Sequence, residues 1–188
     1  MAAVIRNIVT PFFKGRLGSV VFRHIEGKVF ATPRPVPSTQ PPSAAQLQVF
    51  QRFREAINYA KGVMQDPVRR AIYEQVAAAK QKPVFRLAVT DFFQAPDITR
   101  VNVESYGGRM GGKIIVTALD EIGVVSVGVV IRASNGNVLE QGAAVMSGDF
   151  WTYTATTALA AGANVTVEVT AKDHAANATT ASQPYRQN

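Results

Sequence analysis

Close to Ile98 the spacing of apolar residues changes from that of a helix to that of a strand, and a chain with both patterns in series admits few architectures. Upstream, Phe50, Phe53, Ile57, Ala60 and Met64 recur at i, i+3, i+7, i+10 and i+14, and Val68, Ile72, Val76 and Ala79 form a second stripe. Downstream the period is two, with candidate strands at 99–103, 113–119, 124–133, 138–145, 150–156, 164–171 and 179–185. Gly, Asn, Asp and Ser separate most of them, and Ser134-Asn-Gly-Asn137 is the clearest hairpin turn. Seven short strands at such spacing predict an all-β sandwich. The whole chain is therefore expected to be α+β.

The helical region is well punctuated. Ser43 is a candidate N-cap, and Asp66-Pro67 stops one helix and opens the next, which predicts an antiparallel helical hairpin. Pro83 can open a third, short helix through Phe93, with Val84, Phe85, Ala88, Val89 and Phe92 on one face; a strand at 84–89 is the alternative. Before the helices, 19–25 and 28–32 are rich in β-branched and aromatic residues, and Glu26-Gly27 supplies a tight turn, so a β-hairpin is expected. It carries Val20 and Phe22 on one face and Val21 and Ile25 on the other. A two-stranded ribbon is marginal alone and must pack on its own helices or on a neighbouring subunit. Residues 33–43 contain five prolines, which predicts a stiff polyproline-II strap reaching roughly 34 Å. The strap either lies over its own domain or carries the hairpin to another subunit. The expected organisation is a hairpin-plus-helices module at 1–98, a Gly-rich hinge at 99–112 and the sandwich at 113–188.

Charge follows the same division. Residues 1–100 hold 15 Lys/Arg and 6 Asp/Glu, or +9; residues 101–188 hold 5 and 7, or −2. The net +7 thus belongs to the N-terminal half, where it makes a polyanion or an acidic surface a plausible partner. The absence of cysteine excludes disulfides, thiolate metal sites and cysteine catalysis, and two histidines leave little for imidazole chemistry. The first residues lack the pattern of a secretory signal, and no stretch approaches the ~20 apolar residues of a membrane span. Synthesis in the cytoplasm is expected; the final location is left open, a particle or a cell-surface assembly among the alternatives.

Two resemblances add to this reading. The strand Val-Ser-Val-Gly-Val-Val-Ile131, the lone Trp151 in Phe-Trp-Thr-Tyr-Thr154, and Val-Glu-Val-Thr-Ala-Lys-Asp-His-Ala-Ala-Asn177 make residues 113–185 similar to bacterial immunoglobulin-like or fibronectin-III-like sandwiches. In such repeats an Ala-x-Asp-x-x-x-Asn pattern closes the final hairpin; here Ala176 stands where glycine is usual. The resemblance implies adhesion, spacing or display. The N-terminal part, through Lys14-Gly-Arg-Leu-Gly-Ser-Val-Val21, Ser43-Ala-Ala-Gln46, Phe53-Arg-Glu-Ala-Ile-Asn-Tyr-Ala-Lys61, Ala88-Val-Thr-Asp-Phe-Phe93 and Pro96-Asp-Ile98, resembles an uncharacterised bacterial family built in the same order. That resemblance implies an order of parts and no functional residues.

Candidate chemistry is sparse. Gly107-Gly-Arg-Met-Gly-Gly-Lys113-Ile114 nearly spells a phosphate-binding loop, but Ile114 replaces the magnesium-binding hydroxyl and a strand follows where a helix is required. His24 and His174 have no sequence context that joins them. Asp120, Glu121, Asp149, Asp173 and Asn177 fall in sandwich loops and could offer oxygens to calcium, with Asn135 and Asn137 expected at the same end as Asp173 and Asn177. No catalytic residue, cofactor or committed metal site emerges. Basic residues interleave with aromatics near the N-terminus, Phe12 and Phe13 among them; Lys14, Arg16, Arg23, Lys28, Arg34, Arg69 and Arg70 are the candidate phosphate contacts of a nucleic-acid-binding protein. The preferred expectation is a non-enzymatic assembly protein. It would self-associate into a filament, ring or particle through Val20, Val21, Phe22, Ile25, Val29, Phe30, Pro35 and Pro37, by strand addition or apolar packing, and display the sandwich.

Overall fold

A computed structural model of the chain describes residues 2–4, 14–25, 27–36 and 39–187, in which three helices and twelve strands form two compact units, 1–47 and 48–188. The first unit is a four-stranded antiparallel sheet of β1 (Ala2–Val4), β2 (Gly15–Leu17), β3 (Val20–Ile25) and β4 (Lys28–Pro33), in the order β1-β4-β3-β2. Ile25 pairs with Lys28 around a two-residue turn whose Gly27 has φ 74°, a conformation that suits glycine; Glu26 lies outside the described residues. The expected hairpin is thus the centre of a larger sheet. β1 pairs with Val29–Ala31 of β4 and β2 with Val20–Phe22 of β3, so the outer edge of β3 stays unpaired over Arg23–Ile25 among the described residues. Of the proline segment, Pro33 ends β4, and Arg34, Pro35 and Val36 continue exposed without regular structure; Pro37 lies outside the described residues.

Helix α1 (Ala44–Gln65) starts in a capping box: Gln46 N–H donates to Ser43 Oγ at 3.3 Å, and Ser43 N–H donates to Gln46 Oε1 at 2.8 Å. Asp66 then accepts from the amides of Val68 and Arg69 and opens α2 (Pro67–Lys80), which ends on Gln81 in the left-handed region. Residues 84–89, readable as helix or strand, lie in helix α3 (Val84–Asp91). Ala60, Val63, Tyr73, Ala77, Leu87 and Ala88 form the helical core with Ile122. The buried stripes differ from those expected: Phe50 and Phe53 are exposed, as is Val68, while Ala56, Ala60 and Val63 are buried on α1 and Tyr73 and Ala77 on α2. At 1.5 Å per residue the 22-residue α1 is about 12 Å longer than the 14-residue α2, so its first two turns, Phe50 among them, exceed the length of α2, while Phe53 stacks on Phe93 with ring centroids 6.5 Å apart.

The second unit continues as β5 (Asp97–Asn102), β6 (Lys113–Leu119), β7 (Val124–Ala133), β8 (Val138–Ala143), β9 (Val145–Ser147), β10 (Phe150–Thr154), β11 (Asn164–Asp173) and β12 (Ala178–Arg186). Two antiparallel sheets, β5-β6-β10-β9 and β12-β11-β7-β8, enclose a core that includes Ile114, Val116, Val127, Val129, Ile131, Trp151, Tyr153, Val165, Val167 and Val169. This is a β-sandwich. The stretch expected as one strand over 138–145 is two. At buried Ala144, whose N–H donates to Val127 C=O, the chain leaves the sheet of β7 and joins that of β10.

The contact boundary at 47/48 also places the helices with the sandwich instead of with the N-terminal sheet. Residues 99–112 are correspondingly no hinge. They begin inside β5 and continue into a loop fastened by Gly111 N–H to Ala155 C=O, Ala155 N–H to Gly112 C=O and Leu159 N–H to Gly108 C=O, each 2.8 Å. A side chain at Gly112 would meet the Tyr106 carbonyl oxygen at 1.8 Å, so the glycine serves a close backbone crossing. Among the described residues, no helix is long and apolar enough to cross a membrane.

Candidate functional site

Asp91, Asp120 and Asp173 each bring a carboxylate oxygen within 4.8 Å of the other two. They arrive from three elements. Asp91 ends α3 on the same buried face as Leu87 and Ala88. Asp120 follows β6 and folds its loop by accepting from the amides of Ile122 (2.8 Å) and Gly123 (2.9 Å). Asp173 ends β11, where its Oδ1 accepts from Asn177 N–H and its Oδ2 from the Asn177 side-chain amide, both at 2.8 Å. Ala176 adopts φ 65° to close this turn, a left-handed conformation that favours glycine. The Asn177 amide also donates to the backbone carbonyls of Asp91 (3.0 Å) and Gln94 (2.8 Å), tying the β11–β12 turn to the end of α3.

The cluster is rich in negative charge and poor in compensation. Asp91 is 1% exposed; its Oδ2 accepts from Tyr73 O–H at 2.5 Å, and Tyr73 in turn lies 2.7 Å from Tyr59 Oη. Asp91 Oδ1 is buried without a hydrogen-bond partner. Burial pushes the Asp91 carboxyl up to about 6; the Tyr73 hydrogen bond works against this, and the charges of Asp120, Asp173 and Glu121 add to it. Burial likewise raises the Tyr73 and Tyr59 hydroxyls, which therefore stay protonated. The lysines at hand, Lys80 and Lys82, engage Glu121 at 2.6 and 3.4 Å, and the Lys80 hydrogen bond is the main cause of its lowered pKa.

The loop residues weighed for calcium separate into two ends of the sandwich. Asp120, Asp173 and Asn177 converge, and Glu121 stands beside them on its lysines. Asp149, in the β9–β10 turn, is outside the cluster. Asn135 and Asn137 lie at the opposite end, not the same one: β7 and β11 are antiparallel, so the 134–137 turn adjoins Val165 while Asp173 adjoins Val124. Asp91 was invisible as a ligand in the sequence. Its signal was a carboxylate placed three and four residues after Ala88 and Leu87, on the apolar face of a short helix.

The expected assembly and phosphate residues are also redistributed. Opposed residues of an antiparallel pair share a face. The register therefore puts Arg16, Val21, Arg23, Ile25, Lys28 and Phe30 on one face of the N-terminal sheet and Leu17, Val20, Phe22, His24 and Val29 on the other. Lys14 and Arg34 are exposed beside them. Val29 is the buried apolar residue of this sheet among those described; Val20, Val21, Phe22 and Phe30 are half-buried, and Leu17 and Ile25 are exposed. Arg69 and Arg70 belong to the other unit, on α2, where they pair with Asp66 and Glu74. His174 sits in the β11–β12 turn against the Tyr73 ring, and His24 on β3.

No protein-family model and no curated protein matches the chain. Among solved structures, the crystal structure of CopC from Methylosinus trichosporium OB3b is similar over 48% of this chain and 91% of that one, at 13% identity and a TM-score of 0.38, too distant a likeness to bear on fold or function.

Proposed function

We propose that the protein is a non-enzymatic assembly component. Its N-terminal sheet packs against a second copy through the face of Leu17, Val20, Phe22 and Val29, and its C-terminal unit is displayed. The observation that carries this reading is the burial pattern of the sheet. Across β2, β3 and β4, among the residues described, only Val29 is buried, while on the same face Leu17 is 60% exposed and Val20 and Phe22 are half-buried. A sheet needs an apolar face covered to be stable, and a second copy supplies that cover. The strand orders β5-β6-β10-β9 and β12-β11-β7-β8 correspond to A-B-E-D and G-F-C-C′ of immunoglobulin-type sandwiches, and support reading the C-terminal unit as a display or spacing module of that type. Electron microscopy and light scattering of the purified protein test the proposal. Filaments, rings or particles are expected, and L17K/V20K should reduce them to monomers. A monodisperse monomer before substitution, or assembly unaffected by it, refutes the reading.

One observation favours a nucleic-acid-binding alternative: Arg16, Arg23 and Lys28 share the second face of the sheet with Phe30. Cations flanking an aromatic ring suit a phosphate backbone and a stacked base. Binding of single-stranded DNA that falls steeply between 50 and 200 mM salt and is lost in R16E/R23E supports it; salt-independent assembly without such binding supports the first reading.

A further inference from the structure

We propose that Asp91, Asp120 and Asp173 form a calcium site that staples α3 and the β6–β7 loop to the β11–β12 turn. The donors are all carboxylate oxygens, which select a hard cation over a soft one. A cation with bonds of about 2.3–2.6 Å spans oxygens separated by up to roughly 5 Å, so the observed limit of 4.8 Å places all three within reach of one calcium ion. Calcium accepts the irregular geometry that carboxylates from three separate elements offer, whereas magnesium demands a near-ideal octahedron.

The independent observation is Asp91 Oδ1. A buried carboxylate oxygen without a donor is rare, because each such atom loses its hydration without replacement. Here the residue is 1% exposed, its other oxygen is committed to Tyr73, and the nearest carboxylates add negative charge where compensation is needed. The other members of the cluster are already oriented. Two backbone amides hold Asp120, and Asn177 holds both oxygens of Asp173. Their hydrogen bonds leave lone pairs free and fix the direction of each group, as outer contacts do around established metal ligands. Lys80 and Lys82 stay on Glu121 and do not enter the cluster as substitutes for a cation.

The test uses the full chain after chelation and exchange into metal-free buffer at pH 7.5. Calcium titrated calorimetrically should bind one per chain and raise the Tm by several degrees. Terbium should occupy the same place and luminesce on tyrosine excitation, because Tyr73 contacts Asp91 directly. D91N and D120N, which keep an acceptor for Tyr73 and for the loop amides, should each weaken calcium binding at least tenfold and abolish the terbium signal. D97N, on β5 outside the cluster, should leave both unchanged. Absence of calcium binding in the unsubstituted protein overturns the proposal, as does calcium binding undiminished in both cluster variants. If D91N does not fold, D120N alone decides, with calcium displacement of terbium from the unsubstituted protein as the second measurement.

Discussion

Glu140 is the most heavily hydrogen-bonded side chain in the sandwich and gives a demanding stability test. It is 8% exposed on β8, where it accepts from Tyr153 O–H (2.6 Å), Thr156 N–H (2.5 Å), Thr156 O–H (2.9 Å) and Thr157 N–H (3.0 Å). It thereby fastens the segment after β10 to the opposite sheet. Replacing it with alanine strands the Tyr153 hydroxyl, which is buried, at about 1–3 kcal/mol. Thr156 and Thr157 are exposed and can turn to water, so their loss is smaller, and removing a desolvated carboxylate returns part of the cost. The expected net loss for Glu140→Ala is about 3 kcal/mol, or a Tm lower by roughly 6–12 °C for a unit of this size. Trp151, two residues before Tyr153 and the chain's only tryptophan, reports the transition in urea by fluorescence. Glu140→Gln keeps an acceptor for Tyr153 but turns a donor toward an amide, and should lose about half as much. Burial raises the Glu140 pKa, but the hydrogen bonds from Tyr153, Thr156 and Thr157 outweigh it and leave the carboxyl lowered. Its stabilisation is therefore complete above the unfolded value near pH 4 and disappears as pH falls through the lower folded value. A Glu140→Ala variant within about 0.5 kcal/mol of the parent, or one less stable than the parent by the same amount below pH 3 as at pH 7, refutes the reasoning.

Asp91 has the opposite sign: its folded pKa, about 6, lies above that of the unfolded chain. The folded state binds this proton more tightly, so in chelator the contribution of Asp91 to stability should fall as pH rises from about 4 through 6. Urea melts across that range should show a decline of up to about 3 kcal/mol that Asp91→Asn flattens, provided Asp120, Asp173, Glu121, Tyr73, Tyr59 and His174 remain unaltered around it. Gly112→Ala should be among the most damaging single changes, costing about 3 kcal/mol or more, because the added carbon meets backbone at Tyr106 and cannot be relieved by a rotamer. Circular dichroism melts would reveal it, and a Tm within 2 °C of the parent would contradict the crossing.

Most of the secondary structure was legible in local chemistry. Ser43, Asp66 and Pro67 mark helix ends through their own backbone geometry, and period-two alternation located β6, β7 and β11 closely because each has a buried face. The break at Ala144 was not legible. Neither half shows a clear alternation that would mark its end, and only pairing with different sheets separates them. Phe50 misled for a related reason: spacing defines a helical face without saying how far the partner extends.

The sequence by itself determined the α+β order, the break between α1 and α2, the largely β second half and the confinement of positive charge to the first half, because propensity, capping and amphipathic period act within a few residues. Tertiary structure alone decided that the hairpin is the middle of a sheet, that the helices join the sandwich, and that Asp91 meets Asp120 and Asp173 while Asn135 does not. Those outcomes depend on strand direction and register between segments up to 86 residues apart, as in the Asn177 to Asp91 hydrogen bond, and no local signal carries them.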